Sequence, residues 1–91
     1  MIFKWDPTKA ASNLKKHGVS FHEAASVLHD PLSTTFPDKD HSRWEARYLI
    51  IGRSSKQRLL VVSHTQVGNT IRIISARPGT RRERRFYEEG S

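Results

Sequence analysis

The sequence contains no cysteine. Disulfide bridges and thiolate metal sites are therefore excluded, which fits a reducing compartment such as the cytoplasm. Long apolar runs are also absent, since no stretch approaches the roughly 20 residues that a membrane-spanning helix needs. The N-terminus lacks a basic segment followed by an apolar one, so we expect no secretion signal. These absences predict a cytoplasmic protein without a membrane partner.

Acidic residues are scarce. Nine Asp and Glu residues accompany sixteen Lys and Arg residues, which gives a formal net charge of +7 across 91 residues. Such a charge attracts polyanions, and each phosphate that it neutralises releases condensed counterions. The charge alone also leaves open a solvated basic surface or an acidic protein partner. The length predicts one small domain spanning residues 1–91, with a core that buries about 60–65% of the unfolded surface.

Two helices are predicted in the first third of the chain. Asp6-Pro7 combines a good N-cap with a proline at the first helical position. Ser20 and Glu23 form a capping-box pattern, in which each side chain caps a backbone N–H of the other residue. Asn13 is expected on the polar side of the first helix. The helices are predicted at residues 7–17 and 21–29.

Three strongly apolar segments predict the main β-strands, at residues 46–52, 58–65 and 70–77. The loops between them are so short that neighbouring strands must form antiparallel hairpins. Weaker strand signals lie at 2–5 and at 31–37, and a capping box at Thr80 begins a short final helix. The order β-α-α-β-β-β-β-α predicts an α+β domain with two N-terminal helices packed on an antiparallel meander. We expect the strand at 70–77 to be the centre of the sheet.

The register of this meander decides which side chains meet. Side chains alternate between the two faces of a sheet, so a loop changed by one residue moves a whole strand to the other face. A two- or four-residue loop after the first meander strand places Arg47 opposite His64. A two-residue loop after the second puts Arg77 on that same face and Arg72 on the opposite one. A three- or five-residue loop would separate a pair predicted in this way.

His64, Arg47 and Arg77 are therefore candidates for chemistry on a phosphodiester. A histidine exchanges protons near neutral pH, and an arginine fork holds a phosphate. Cleavage of RNA needs a base for the ribose 2′-hydroxyl, an acid for the leaving oxygen and cations that stabilise the transition state, without a metal. His64 could instead be a structural histidine at a strand end, and Arg77 could extend from the rim of the sheet into solvent.

The final helix is crowded with arginine. These side chains surround the helix instead of forming one stripe, so we expect some to contact RNA phosphates and others to be solvated. Tyr87 could stack on a base, although an aromatic residue at a helix end is more often part of a core. The arginines concerned are Arg81, Arg82, Arg84 and Arg85.

The histidines lack the spacing of metal ligands, and no glycine-rich phosphate loop is present. We therefore expect neither a metal nor a cofactor. The polar loop at residues 37–44 has no assigned role.

Several blocks of sequence keep the order and spacing of one known family. They lie at residues 3–7, 9, 13, 16–24, 60–65, 71–77 and 82–87. Together they span nearly the whole chain, and they resemble the BrnT toxins. Glu45 and Arg47 also match the Glu-x-Arg pattern of that family.

The resemblance implies a bacterial ribonuclease toxin of RelE-like fold that arrests growth by cutting RNA. It also implies a BrnA antitoxin that neutralises the toxin and carries a DNA-binding domain. The complex would repress its own promoter, so the toxin would meet operator DNA only through its partner, and a toxin dimer within a heterotetramer is compatible with this. The positions that match the family imply that the site contains His64, Arg77, Glu45, Arg47 and the basic C-terminal segment.

The resulting hypothesis is a metal-independent endoribonuclease. Arg47 and Arg77 would stabilise the phosphate, His64 would move protons with Glu45 as its partner, and the C-terminal arginines would hold the RNA. The alternative is a non-catalytic nucleic-acid-binding module, or the docking subunit of a DNA-binding complex. Intact RNA after incubation with the purified protein, together with unchanged growth arrest by His64→Ala, would favour the alternative.

Overall fold

The structure is a computed structural model that describes residues 1–90. It confirms the predicted α+β class and element order. Short 3-10 turns follow α2 and β2, at Val27–His29 and Lys39–His41. The main elements are β1 (Ile2–Lys4), α1 (Pro7–His17), α2 (Phe21–Ser26), β2 (Thr34–Pro37), β3 (Tyr48–Arg53), β4 (Leu59–Val67), β5 (Thr70–Pro78) and α3 (Arg81–Glu88).

Helix α1 begins and ends where the sequence predicts. Asp6 Oδ1 accepts a hydrogen bond of 2.8 Å from the N–H of Thr8, and Pro7 occupies the first helical position. Gly18 ends the helix in the left-handed conformation, with φ of 69°. A residue with a side chain would be strained there, so glycine suits this end.

Asn13 is buried, so its predicted place on the polar side of α1 is wrong. Strand β1 pairs with β5 only as far as Arg72, which leaves the backbone of β5 beyond that point without a strand on this side. The Asn13 amide nitrogen donates to the carbonyl of Ala76 at 2.9 Å, and its oxygen accepts from the N–H of Ala76 at 3.1 Å. The same nitrogen donates to the carbonyl of Val19. Asn13 therefore completes the edge of β5 as a neighbouring strand would.

The capping box predicted for α2 is half formed. Ser20 Oγ accepts a hydrogen bond from the N–H of Glu23 at 3.0 Å. The Glu23 carboxylate does not return to Ser20, because it is buried and accepts hydrogen bonds from Arg58 and Ser54. An arginine fork gives a buried carboxylate two charge-assisted bonds, which the exposed end of a helix cannot match. The capping box of α3, in contrast, is complete.

The five strands form one sheet in the order β1-β5-β4-β3-β2. Strand β1 runs parallel to β5, and the other pairs are antiparallel. Strand β4 is therefore central, and the expectation that β5 would be the centre is wrong. Strand β4 is the middle strand of the meander, and β1 and β2 add one strand on each side, so β4 remains the centre of the sheet.

The first hairpin of the meander departs from the predicted register. Its loop comprises the five residues 54–58, and Gln57 within it adopts a positive φ of 62°. Tyr48 consequently lies opposite His64, and the predicted pairing of Arg47 with His64 is wrong. Five residues in place of four move the whole of β3 to the other parity.

The second hairpin has the predicted two-residue turn but contains an irregularity further along. His64 pairs with Ile73, whereas Ser63 pairs with Ser75, so Ile74 is an extra residue in β5. Such a bulge changes the parity of everything beyond it. Arg77 therefore pairs with Val61 and lies on the face opposite His64, which makes its predicted place beside His64 wrong.

Both faces of the sheet bury apolar side chains. Helices α1 and α2 lie over the main core, whose largest members are Phe21, Leu60, Ile71, Ile73 and Val62. Helix α3 covers part of the opposite face, where Phe86 and Tyr87 pack near Phe36, Leu49, Ile51, Leu59 and Val61. The rest of that second face carries polar and charged side chains.

Candidate functional site

Three charged residues meet on the second face, beyond the part that α3 covers. Glu45 Oε1 accepts a hydrogen bond from Arg72 at 2.5 Å and another from Arg47 at 3.5 Å. The five-residue loop brings Arg47 to the face that also holds Arg72. The expectation that Arg72 would face away from Arg47 is therefore wrong. We call Glu45, Arg47 and Arg72 the arginine cluster.

The electrostatics of the cluster favour binding of an anion. The hydrogen bond from Arg72 and the positive charges of Arg72 and Arg47 lower the pKa of Glu45, so its carboxylate is ionised at neutral pH. The side chains are 29% exposed for Arg47, 39% for Arg72 and 42% for Glu45. Within residues 1–90, the Arg47 Nε is a buried donor without a hydrogen-bond partner. Two guanidinium groups thus share one carboxylate oxygen and keep unused donor capacity.

A cavity of about 300 Å³ adjoins the cluster. Beside it, the indole of Trp44 is 88% exposed, and the Arg43 guanidinium lies 5.1 Å from the ring centroid. In the loop between β2 and β3, His41 Nδ1 lies 3.0 Å from a carboxylate oxygen of Asp38. The lining residues are Asp40, His41, Arg43, Trp44, Glu45 and Arg47.

His64 lies away from the cluster, on the face that packs against α1 and α2. Its side chain is 2% exposed, its ring lies 6.0 Å from that of Tyr48, and its Nδ1 is 3.4 Å from the carbonyl of Val62. Burial lowers the pKa of His64, so the imidazole is neutral at physiological pH. The structure therefore does not bring His64 together with Glu45 or Arg47.

Arg77 shares a face with the cluster but lies at the other end of β5. Four paired positions separate it from Arg72, or about 13 Å along the strand. Its guanidinium makes two hydrogen bonds of 2.8 Å to the Glu83 carboxylate, which lower the pKa of Glu83 to about 2. This ion pair joins β5 to α3, so Arg77 is already engaged by a carboxylate.

The four arginines of α3 are all exposed. Arg84 also lies 3.8 Å from Glu88, one turn further along the helix. Tyr87 differs from them, because its ring packs in the second core and its hydroxyl donates to Asp30 at 2.6 Å. The guanidinium of Arg53 lies 5.5 Å from the centroid of the same ring. The sequence allowed two roles for Tyr87, base stacking or a place in the core. The structure places its ring in the core.

No group of three or more metal-ligating side chains occurs within residues 1–90. In that same range, no helix has the length and apolar character needed to cross a membrane.

This geometry suits the binding of a phosphodiester. Arginine forks match phosphate oxygens, and phosphate contacts dominate the affinity of proteins for nucleic acids. The fold and the cluster together define a small basic α+β protein with an exposed pair of arginines that suits a polyanion.

The family of this protein follows from its sequence match. The family model for BrnT, a ribonuclease toxin of type II toxin–antitoxin systems, matches residues 5–83. The chain therefore belongs to the BrnT family of ribonuclease toxins, and the predicted resemblance is confirmed. Membership implies an RNA substrate and an antitoxin partner.

A solved structure shows the same fold. The 1.1 Å crystal structure of the Brucella abortus ribonuclease toxin BrnT superposes with a TM-score of 0.68 and is 25% identical in sequence. The similarity covers 89% of this chain and 100% of that chain. No curated protein sequence matches the chain.

Sequence reasoning missed two features of this surface. Arg72 was assigned to the wrong side of Arg47, because the loop length that decides the matter has no clear signature. The sequence interpretation also gives Trp44 no part in base stacking, because two tryptophans are too few to define a stacking platform.

Proposed function

We propose that this protein is an endoribonuclease in which a ribose 2′-oxygen attacks the adjacent phosphorus as the bond from phosphorus to the 5′-oxygen breaks. The proton of the 2′-hydroxyl passes to solvent at this open face, and water protonates the leaving 5′-oxygen, so the products are a 2′,3′-cyclic phosphate and a 5′-hydroxyl. The observation that carries the proposal is the convergence of Arg47 and Arg72 on one ionised carboxylate at an open sheet face. A phosphate in place of that carboxylate would receive the same donors. Positively charged donors stabilise the charge that develops on the phosphorus oxygens, and one well-placed donor contributes about 3–4 kcal/mol.

Glu45 serves in this proposal as a positioning residue. Its lowered pKa makes it a weak base at neutral pH, since a general base acts best when its pKa lies near the working pH. Its charge holds the two guanidinium groups together until RNA arrives. The phosphate then takes over the hydrogen bonds, and the half-exposed carboxylate returns to water.

The geometry does not favour the roles predicted for His64 and Arg77, which were proton transfer and stabilisation of the phosphate. His64 is buried on the other face, and Arg77 is held by Glu83. We propose that both residues act in the fold, and that the exposed arginines of α3 contact RNA phosphates beyond the cleaved one. His64→Asn tests the first point, because unchanged cleavage by this variant supports a structural role.

The proposal needs no metal ion, because the arginines supply the positive charge. Cleavage is therefore expected to continue in EDTA. An antitoxin of the BrnA type would cover the basic surface, and its DNA-binding domain would carry the complex, as a heterotetramer with a toxin dimer, to the operator of its own gene. This part rests on family membership and on the net charge of +7. A cytoplasmic location follows from the RNA substrate.

The decisive experiment compares Arg47→Ala and Arg72→Ala with wild type in cleavage of a fluorescent RNA. We expect each variant to lose about 100-fold or more in kcat/KM, as when one charged donor to a transition state is removed. Lys15→Ala is the matched control, because it also removes one positive charge but from the exposed surface of α1. Cleavage at the wild-type rate by the Arg47→Ala, Arg72→Ala double variant would refute the proposal.

The alternative function is a non-catalytic nucleic-acid-binding module. The burial of His64 favours it, since the arginine cluster itself contains no imidazole. The two functions differ in one result. A binding module retains RNA in a filter assay and leaves its length unchanged, with or without EDTA.

A further inference from the structure

The most exposed large apolar side chain within residues 1–90 is Trp44, at 88%. A single exposed apolar residue is ordinary on a protein surface, so a role for Trp44 must follow from the groups around its ring. The other tryptophan of the chain, Trp5, packs edge-on against Phe21 and His22. One of the two tryptophans is therefore packed against the fold, and the other, Trp44, is exposed on its loop.

The loop that carries Trp44 is held at its base by hydrogen bonds. The N–H of Asp38 donates to the carbonyl of Arg47 at 2.8 Å, which closes the loop. The Ser42 hydroxyl donates to the carbonyl of Asp38 and accepts from the N–H of Arg47 at 3.0 Å. His41 adds a contact of 3.0 Å to the Asp38 carboxylate. The backbone beside Trp44 is therefore set before any ligand binds, which lowers the entropy cost of recognition.

Two arginines lie beside Trp44, in a cavity that Asp40 and Glu45 also line. Arg43 lies 5.1 Å from the ring centroid, and Arg47 lines the same cavity of about 300 Å³. An aromatic ring beside arginines is the arrangement by which proteins hold unpaired bases, with stacking on the ring and phosphate on the guanidinium groups. Glu45 and Arg47 of the arginine cluster line this cavity together with Trp44, so a base on Trp44 would belong to a nucleotide next to the bound phosphate.

We propose that Trp44 forms a stacking subsite for one unpaired RNA base beside the phosphate held by Arg47 and Arg72. This inference rests on the proposed function, because it uses the same phosphate position. The subsite prefers single-stranded RNA, since a base within a duplex cannot leave its stack without losing its pair. Stacking tolerates every base, so the subsite gives affinity and position more than sequence preference.

Tryptophan fluorescence tests this directly. Trp5→Phe leaves Trp44 as the single reporter, and the probe is a short single-stranded RNA with 2′-O-methyl groups, which binds without being cut. We expect the RNA to quench Trp44, and a duplex of the same sequence to leave most of the emission. In wild-type background, Trp44→Ala should weaken binding of the single strand about 10-fold, as measured by anisotropy, with Trp44→Phe between the two.

The remaining emission of Trp44→Ala comes from Trp5, and RNA should not change it. This variant replaces an exposed side chain, so it serves as a second measurement that does not depend on the fold of Trp5→Phe.

Three results would overturn the subsite. The first is no quenching of Trp44 by single-stranded RNA in protein that cleaves RNA, and the second is equal quenching by the duplex. The third is quenching by a co-purified antitoxin but not by RNA, which would assign the ring to the protein interface. Quenching with normal affinity in a protein that cleaves no RNA would instead support the subsite and refute the proposed enzymatic function.

Discussion

Removal of the buried Asn13 amide should destabilise the protein more than any single change to an exposed polar residue of α1. Asn13→Ala deletes three hydrogen bonds, two from the amide nitrogen and one to its oxygen. A buried backbone group left without its partner costs about 1–3 kcal/mol. Asn13 is 7% exposed and Ala76 is 1% exposed, so water reaches little of the vacated space. We expect a loss of about 3 kcal/mol in the free energy of unfolding.

This loss is large for a small domain. Each kcal/mol shifts Tm by about 4–8 °C at this chain length, so Asn13→Ala should melt roughly 12–24 °C below wild type. Urea denaturation followed by circular dichroism gives the free energy, and hydrogen exchange gives the protection of the Ala76 amide. Ser12→Ala is the matched control, because this neighbour is exposed and should change stability by less than about 0.5 kcal/mol.

A second substitution separates the donors from the acceptor. Asn13→Asp keeps an oxygen for the N–H of Ala76 but places a carboxylate against the carbonyls of Val19 and Ala76. It should be at least as destabilising as Asn13→Ala at neutral pH and should recover in acid. Our account of the β5 edge is wrong if Asn13→Ala unfolds within about 0.5 kcal/mol of wild type, or if the Ala76 amide keeps its protection.

Two ion pairs give further predictions. Glu23→Gln should lower the free energy of unfolding in urea by about 1–3 kcal/mol, because it removes the charge of a side chain that is 2% exposed and bound by Arg58. The same substitution in an Arg58→Ala background should have no such cost if the ion pair is the cause. The folded pKa of Glu83 is lowered from 4.5 to about 2, so its stabilisation is present above about pH 4.5 and is lost as the pH falls toward 2. Glu83→Gln should therefore lower stability at pH 7 by about 1–2 kcal/mol, after allowance for an Arg77 side chain that is 41% exposed, and should match wild type near pH 2. Equal differences at both pH values would contradict this assignment.

Local signals in the sequence predicted the helices well. The caps at Asp6 and Thr80 act within a few residues, so nothing distant competes with them. Ser20 also caps as expected, but Glu23 finds a stronger partner in Arg58, which is 35 residues away. The predicted position of Asn13 is wrong for the same reason, because its hydrogen-bond partner Ala76 lies 63 residues away. A polar residue on a helix can be placed from sequence only when its partner is local.

The faces of the sheet depended on two single-residue events. The five-residue loop moves Arg47 away from His64, and the bulge at Ile74 moves Arg77 away from it as well. Two changes of parity therefore leave Arg47 and Arg77 on one face, as predicted, with His64 alone on the other. Neither event has a glycine or asparagine to mark it in the sequence, so periodicity could not reveal either.

The ion pairs of this protein differ in how firmly they hold their arginines. Arg58 and Arg77 each make two hydrogen bonds to a carboxylate that is 2% or 23% exposed, and loss of either arginine would leave a poorly solvated charge. Glu45 is 42% exposed and offers one oxygen to two arginines. A phosphate can replace it at little cost, because the displaced carboxylate is rehydrated. This difference, more than the number of arginines, supports our proposal that Arg47 and Arg72 bind the substrate.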